Sequence, residues 1–302
     1  MTFLASLRDT LIVARFHLRR ALRTRSALGL CLVYSLVTTS GAWIFTRVLL
    51  ELEKQVARML MVPEVSRPGT MLDTLRERGD LAEMFSDFLE EPGQVAWALD
   101  QPFLTVAHFW VCLGLMPFLA AAAGAETVSP SIRNKAIRFE SLRTGRLELV
   151  AGRFVGQAVL IGVALFLAIG GTWVVAMVAM TNQPPFLQLT SLLAITPRIW
   201  VWSLPYLGLG LACSQLFANV NFARSMALAG IVFGWIVWGV LHSDWMRGLG
   251  WIADLIAPLM PHDYALDLWG PGWAWTTAGA ILVTIGLGVT LAAYPLFRRR
   301  NL

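Results

Sequence analysis

The stretch SIRNKAIRFESLRTGRLELVAGRF, residues 131–154, decides how the rest of the chain is read. It sets five Arg, one Lys and two Glu between two of the most apolar runs in the sequence. The chain has 302 residues, of which 57% are hydrophobic and only 14% charged, with a mean hydropathy of +0.63. A soluble protein of this length spreads charge along every amphipathic element. Here the charges cluster and long runs have none. That distribution belongs to a polytopic helical membrane protein, because backbone polar groups within a bilayer must be satisfied inside the segment that carries them. The basic stretch is then a connection between two membrane helices.

Working outward from it, six apolar runs follow the order of the chain: 27–49, 103–125, 154–180, 200–217 with a start as early as 187, 226–242 and 273–297. Each is near the ~20 residues that a helix needs to cross ~30 Å of hydrocarbon. Thr181-Asn182-Gln183-Pro184-Pro185 separates the third from the fourth. The expected fold is an all-α membrane protein with six transmembrane helices. It carries an N-terminal interfacial helix, a short cytoplasmic helix between spans two and three, and re-entrant outer helices between spans five and six.

Charge sets the expected orientation. With the N-terminus inside, the inner segments hold sixteen of the 24 basic residues and four of the 19 acidic ones, Asp9, Glu126, Glu140 and Glu148. The excess of Lys and Arg puts both termini in the cytoplasm of a multi-pass protein of the cell membrane, the inner membrane in a bacterium. Trp200, Trp202, Trp245, Trp251, Trp269, Trp273 and Trp275 gather near the outer span ends, as an aromatic belt would. The net charge of +5 therefore reflects topology, and no nucleic-acid partner is implied.

Two domains are expected. Residues 1–26 form an amphipathic helix lying in the interface, with Phe3, Leu7, Leu11, Ala14, Leu18 and Leu22 at helical spacing and Arg8, Arg15, Arg19 and Arg23 largely on another face. Residues 27–302 form the six-span domain, with two outer segments that are more than loops. The first, 51–101, is an acidic insertion with eleven acids against five bases. Within it Thr70 and Asp80 are placed to cap two short helices, with Glu83 as the capping-box partner of Asp80 and an apolar face of Leu81, Met84, Phe85 and Phe88. The second, 243–273, contains WIADLIAPLM, apolar but too short to cross, and reads as a re-entrant or interfacial helix pair.

Catalytic patterns are absent from the sequence. Only Lys54 and Lys135 are lysines, neither follows a P-loop, and there is no H-E-x-x-H and no G-x-S-x-G. Cys31, Cys112 and Cys213 are isolated in apolar runs and imply no disulfide framework. His242 with Asp244, and His262 with Asp263 and Asp267, are the polar groups on which an outer-face metal site or a membrane-embedded enzyme or assembly factor would have to rest. By this placement no Asp, Glu, Lys or Arg lies deep within a span, and His108 sits toward an outer end. A proton-driven transporter keeps at least one buried carboxylate, so the energy source is expected to lie elsewhere. A passive channel needs a polar stripe, and the Thr and Ser of the spans form none.

The basic connection spans 126–153. Ile132, Ala136, Phe139 and Leu142 form one helical stripe, surrounded by Arg133, Lys135, Arg138 and Arg143. Thr144-Gly145 interrupts, and Leu147, Val150, Ala151 and Phe154 lead into the third span. A short amphipathic helix of this kind fits an anionic-lipid anchor, where each base contributes ~1 kcal/mol, and it fits a docking surface equally well.

At these residues the chain resembles a family. IRFESLRTGRLELVAGRFVGQ, with Glu126 upstream, is similar to the cytoplasmic loop of type-2 ABC exporter permeases, whose pattern is TLE-x-LL-x-x-P-x-S-R-x-x-x-x-x-G-K. Phe139-Glu140-Ser141-Leu142 stands for the first part, Arg146 for the Arg and Gly152-Arg153 for the Gly-Lys. Thr144-Gly145 replaces the Pro-containing turn and Arg153 replaces the Lys, which changes the turn and keeps the charges. YLGLGLACSQLFANVNFARSMAL, 206–228, resembles the family's fourth-span exit and short inner turn. IAPLMPHDYALDLW, 256–269, resembles its P-x-x-Y-A segment. The resemblance implies one half of a translocation pathway, formed with a second copy or a close relative and driven by a separate ABC ATPase subunit. ATP and Mg would reside on that ATPase, and this chain would carry no cofactor. It also implies that Arg133, Lys135, Ile137, Arg138, Phe139, Glu140, Arg143 and Arg146 meet the ATPase, with Glu126 at the inner edge and the N-terminal arginines as a second contact.

Overall fold

The computed structural model describes residues 3–23, 25–59, 68–71, 86, 89, 91–180, 183–243 and 250–299, and the regular structure among them is helical throughout. In chain order the helices are α1 (Phe3–Arg23), α2 (Arg25–Met59), α3 (Pro92–Asp100), α4 (Phe103–Ala125), α5 (Ser129–Arg133), α6 (Ile137–Arg143), α7 (Arg146–Ala179), α8 (Pro185–Leu216), α9 (Val220–Leu241), α10 (Gly250–Ile256), α11 (Trp275–Ala292) and α12 (Tyr294–Arg299). Among the described residues five helical segments are long and apolar enough to cross a membrane: α2, α4 with α5, α7, α9, and α11 with α12. The chain is an all-helical multi-pass membrane protein.

α8, the expected fourth span, is not among these five. It is the core helix of the bundle and contacts α4, α11, α7 and α9. Neighbours on several sides relieve it of a lipid-compatible surface, so it carries Gln188, Ser191, Arg198 and Gln215 in buried positions. Its start, at Pro185, falls by the earlier of the two expected starts, near 187. Pro185 occupies the first turn, where a missing N–H costs nothing, and the helix continues through Pro197. Arg198 therefore lies well inside a long helix and is 3% exposed. Its guanidinium donates to the carbonyls of Leu268 (2.7 Å) and Gly270 (2.9 Å) and lies 4.1 Å from the Trp97 ring centroid. This one side chain ties α3 and the segment before α11 to α8.

Small residues let α8 approach its neighbours. A Cβ on Gly210 would sit 2.1 Å from the Ala121 carbonyl oxygen of α4, and one on Gly208 would sit 2.2 Å from the Gly286 oxygen of α11. Helix pairs in membranes associate through such close backbone contact rather than through hydrophobic exclusion. The same device holds α1 on α7. A Cβ on Gly152 would meet Val13 at 2.6 Å and the Thr10 oxygen at 2.7 Å, and one on Gly156 would meet the Ala14 oxygen at 3.0 Å. The face of α1 that packs on α7 thus centres on Val13, Ala14 and His17. Of the expected stripe, Ala14 and Leu18 pack inward while Leu7, Leu11 and Leu22 are exposed.

Other expectations need revision at the end remote from the basic loop. Trp202 and Trp269 are fully buried core residues rather than belt residues; Trp269 packs with Trp97, Phe109 and Trp110. Between α9 and α11 the described residues form one short helix, α10, and three 3-10 turns (Ala257–Leu259, Pro261–Tyr264 and Asp267–Trp269), and residues 244–249 of the expected helix pair lie outside them. The prolines at 258 and 261 stop a longer helix. In the acidic insertion, Asp80, Glu83, Leu81, Met84, Phe85 and Phe88 lie outside the described residues. α2 runs on past the expected span end, and its buried Glu53 accepts the backbone N–H groups of Gly69 (2.9 Å) and Met71 (3.0 Å).

Candidate functional site

The basic connection is built on the ends of α4, α7, α8 and α9. Its entry is bolted down by three hydroxyls. Thr127 donates to the Gly124 carbonyl (2.7 Å), and its hydroxyl lies 3.2 Å from that of Ser214 on α8. Ser129 donates to the carbonyls of Phe217 (2.7 Å) and Ser214 (3.2 Å). These satisfy the carbonyls left open at the α8 C-terminus. Glu126, just past α4, pairs with Arg224 near the start of α9.

The expected single helix through 130–144 is two helices. Lys135 adopts a left-handed φ of 55°, which divides α5 from α6 and resets the helical phase. The stripe of Ile132, Ala136, Phe139 and Leu142 is broken accordingly. Ile132 and Ile137 are buried, whereas Phe139 is 74% and Leu142 83% exposed. A side chain with a Cβ pays roughly 1–2 kcal/mol in this conformation, and β-branched residues fare worst. Unfolding midpoints in detergent are therefore expected to rank Lys135→Gly at or slightly above wild type, by up to ~1 kcal/mol, and Lys135→Val below it by about 1–2 kcal/mol.

Arg153, one helical stretch into α7, is the hub beneath this loop. It is 5% exposed. It donates to the Thr127 carbonyl (2.7 Å) and the Ser131 hydroxyl (2.9 Å) and pairs with Glu140 of α6. Ser131 in turn donates to Glu140 (3.4 Å). One guanidinium thus joins the exit of α4, α5 and α6 to α7. Its charge is neutralised and its donors are used, which is what a buried arginine requires. Arg20 of α1 reaches to 4.0 Å from Glu140. Next to it the His17 ring lies 3.1 Å from Oε1 of Gln157 on α7. Burial pulls the His17 pKa below the ordinary histidine value, offset in part by the bond to Gln157, so the ring is neutral near pH 7.

The turn into α7 is closed by Gly145. A Cβ there would lie 1.9 Å from a Glu148 carboxylate oxygen, and that carboxylate accepts from Ser6 of α1 (2.9 Å). Arg146 donates to the Arg298 carbonyl at the end of α12 (2.6 Å).

The structure thereby sorts the sequence-derived residues into two groups. Arg133, Lys135, Arg138, Phe139 and Arg143 are exposed at the surface of the loop. Ile137 and Glu140 face inward and hold it in place, as does Glu126 through Arg224, while Arg146 ties the loop's end to α12 at the surface. The residues that sequence reading missed as anchors are Thr127, Ser129, Ser131 and Arg153. Only Arg153 had a signal, as the residue matched to the Lys of the family's Gly-Lys. Alongside the exposed group, α1 and α6 enclose an apolar groove of about 650 Å³ lined by Ile12, Phe16, Phe139 and Leu142.

At the opposite end a second polar cluster surrounds His262. Its ring is 5.1–5.5 Å from those of Trp238, Trp235 and Trp202. Asp263 accepts from Trp238 Nε1 (2.6 Å) and lies 3.6 Å from His242. Burial lowers the His262 pKa, against the pull of Asp263. Asp244 lies outside the described residues. Among the described residues no three His, Cys, Asp or Glu side chains gather at metal-ligand spacing.

No protein-family model matches the chain, and no relative is found among curated proteins.

Proposed function

We propose that the chain is the transmembrane permease subunit of an ATP-driven exporter of the type-2 ABC kind. The observation that carries this reading is the division of labour in the basic loop. Arg133, Lys135, Arg138, Phe139 and Arg143 are presented outward, while Arg153 and Glu140 fix the same loop to α4 and α7. A lipid anchor needs only the outward charges. A coupling element also needs a stiff link to the membrane helices, because an external protein can move those helices only through a connection that does not yield. The apolar groove beside Phe139 offers a seat for side chains of that protein, and the surrounding cations orient it.

In this reading α8 is the fourth of six spans, the basic end faces the cytoplasm, and Arg133, Lys135, Arg138, Phe139 and Arg143 meet a P-loop ATPase that holds ATP and Mg. A second permease copy or a close relative completes the pathway. The resemblance of 139–153 to the family's loop supports it independently of the geometry. Affinity purification of the chain from its native membranes in mild detergent is expected to bring down a stoichiometric ATPase. Arg138→Glu with Arg143→Glu should lower that recovery at least tenfold and leave the unfolding midpoint within about 2 °C of wild type, since exposed substitutions cost within ~0.5 kcal/mol. Recovery of the chain alone from wild-type membranes, with no ATPase activity, would return the loop to a lipid anchor.

A further inference from the structure

A cavity of about 610 Å³ lies between α1, α2, α4, α7 and α9 at the basic end. That volume is in the range of pockets that hold small ligands. Its walls change character along the helices. Arg153 of α7, Glu126 at the end of α4, and Arg224 of α9 line it at one level. Two turns farther along α7, about 10 Å, the lining is Leu160, and one turn back along α4 it is Ala122. The space is therefore charged at the basic end and aliphatic toward the middle of the bundle.

The charges do not balance. Arg20, Arg153 and Arg224 line the cavity with Glu126, and Glu140 stands behind Arg153. Three guanidiniums meet two carboxylates, which leaves one positive charge over. His17, also in the lining, is neutral and does not alter this. The donors are unevenly used as well. Arg153 has its partners in the loop. Arg224 pairs with Glu126 and keeps 39% side-chain exposure, while its Nε is buried out of reach of a ligand in the cavity. Among the described residues Arg20 has its distant approach to Glu140, and its side chain is 55% exposed. Two arginines from different helices, α1 and α9, thus present partly exposed guanidiniums to the same space. A guanidinium makes its strongest hydrogen bonds to anions such as carboxylate and phosphate.

We propose that this cavity binds the phosphate of an anionic phospholipid, with the headgroup between Arg20 and Arg224 and the first acyl carbons against Leu160 and Ala122. The shared chemistry is a phosphate anion. The aliphatic wall favours one carried on an amphiphile over the free ion, since only an amphiphile covers both walls. The inference does not rest on the transport reading, because the site is formed within one chain and needs no ATPase.

The test uses the full chain, purified in mild detergent, stripped of lipid and examined by native mass spectrometry. It is titrated with phosphatidylglycerol, with phosphatidylcholine, and with inorganic phosphate. One phosphatidylglycerol per chain is expected to bind at least tenfold more tightly than phosphatidylcholine. Arg20→Gln should weaken it about tenfold, Arg20→Lys should restore it to within about threefold, and Arg8→Gln, exposed on α1 away from the cavity, should leave it unchanged. Arg20 is exposed, so these variants fold. Equal binding of the two lipids, or an Arg20→Gln variant that binds like wild type, would overturn the proposal. Displacement of the lipid by millimolar inorganic phosphate would make the cavity a free-phosphate site and overturn the amphiphile.

Discussion

Arg153→Met is expected to lower the stability of the protein by about 3 kcal/mol, the lower end of the cost of removing one partner from a buried ion pair. The lower end applies because Glu140, the partner left behind, keeps 25% side-chain exposure and can recruit water. The Thr127 carbonyl and the Ser131 hydroxyl lose their donor at the same time. Thermal unfolding in detergent measures the total. Hydrogen exchange across 129–143 measures the local part, and it should rise there by more than tenfold while the core of α8 stays protected. Adding Glu140→Gln removes the stranded charge and should recover part of the loss, a coupling that a double-mutant cycle reads directly. A cost below 1 kcal/mol, with unchanged exchange in 129–143, would show that the loop is not held by this pair. The variant also separates the two halves of the functional proposal. Arg138→Glu with Arg143→Glu should lose the ATPase. Arg153→Met should keep the ATPase bound, because the outward residues are intact, and should uncouple its hydrolysis from transport.

The second large effect lies in the bundle core. Gly210→Val should cost about 3 kcal/mol, the upper part of the usual range for overpacking. At this position even the first added carbon would stand 2.1 Å from the Ala121 oxygen and 2.9 Å from its carbonyl carbon. Those atoms belong to the backbone of α4, so no side-chain rotation relieves the clash and the two helices must separate. Gly114→Ala, on α4 itself, is the internal comparison. Nothing lies within 4 Å of its added carbon, and the gain in helix propensity should raise stability by up to ~1 kcal/mol. Unfolding midpoints of the two variants in the same detergent check both. Equal values would mean that α4 and α8 do not depend on close backbone approach.

Local chemistry determined a great deal of this protein. Uncharged runs near twenty residues long mark α2, α4, α7, α9 and α11, because a bilayer tolerates only segments whose polar groups are satisfied within themselves. The clustering of Arg133, Lys135, Arg138 and Arg143 marks a surface of the chain between two such runs, and α6 presents Arg138 and Arg143 outward. The tertiary structure decided what depends on neighbours distant in sequence. Arg198 is admitted to the middle of a helix only because the carbonyls of Leu268 and Gly270 and the face of Trp97 come to meet it. Trp202 and Trp269 stand at positions that read as interfacial, yet other helices enclose them. Lys135 takes a backbone conformation that its side chain disfavours, and the stripe that periodicity predicts is split at that residue. Ile137 is buried and Phe139 exposed for the same reason. Whether a charged or aromatic residue faces lipid, solvent or another helix follows from which helices surround it, and periodicity along one segment does not carry that information.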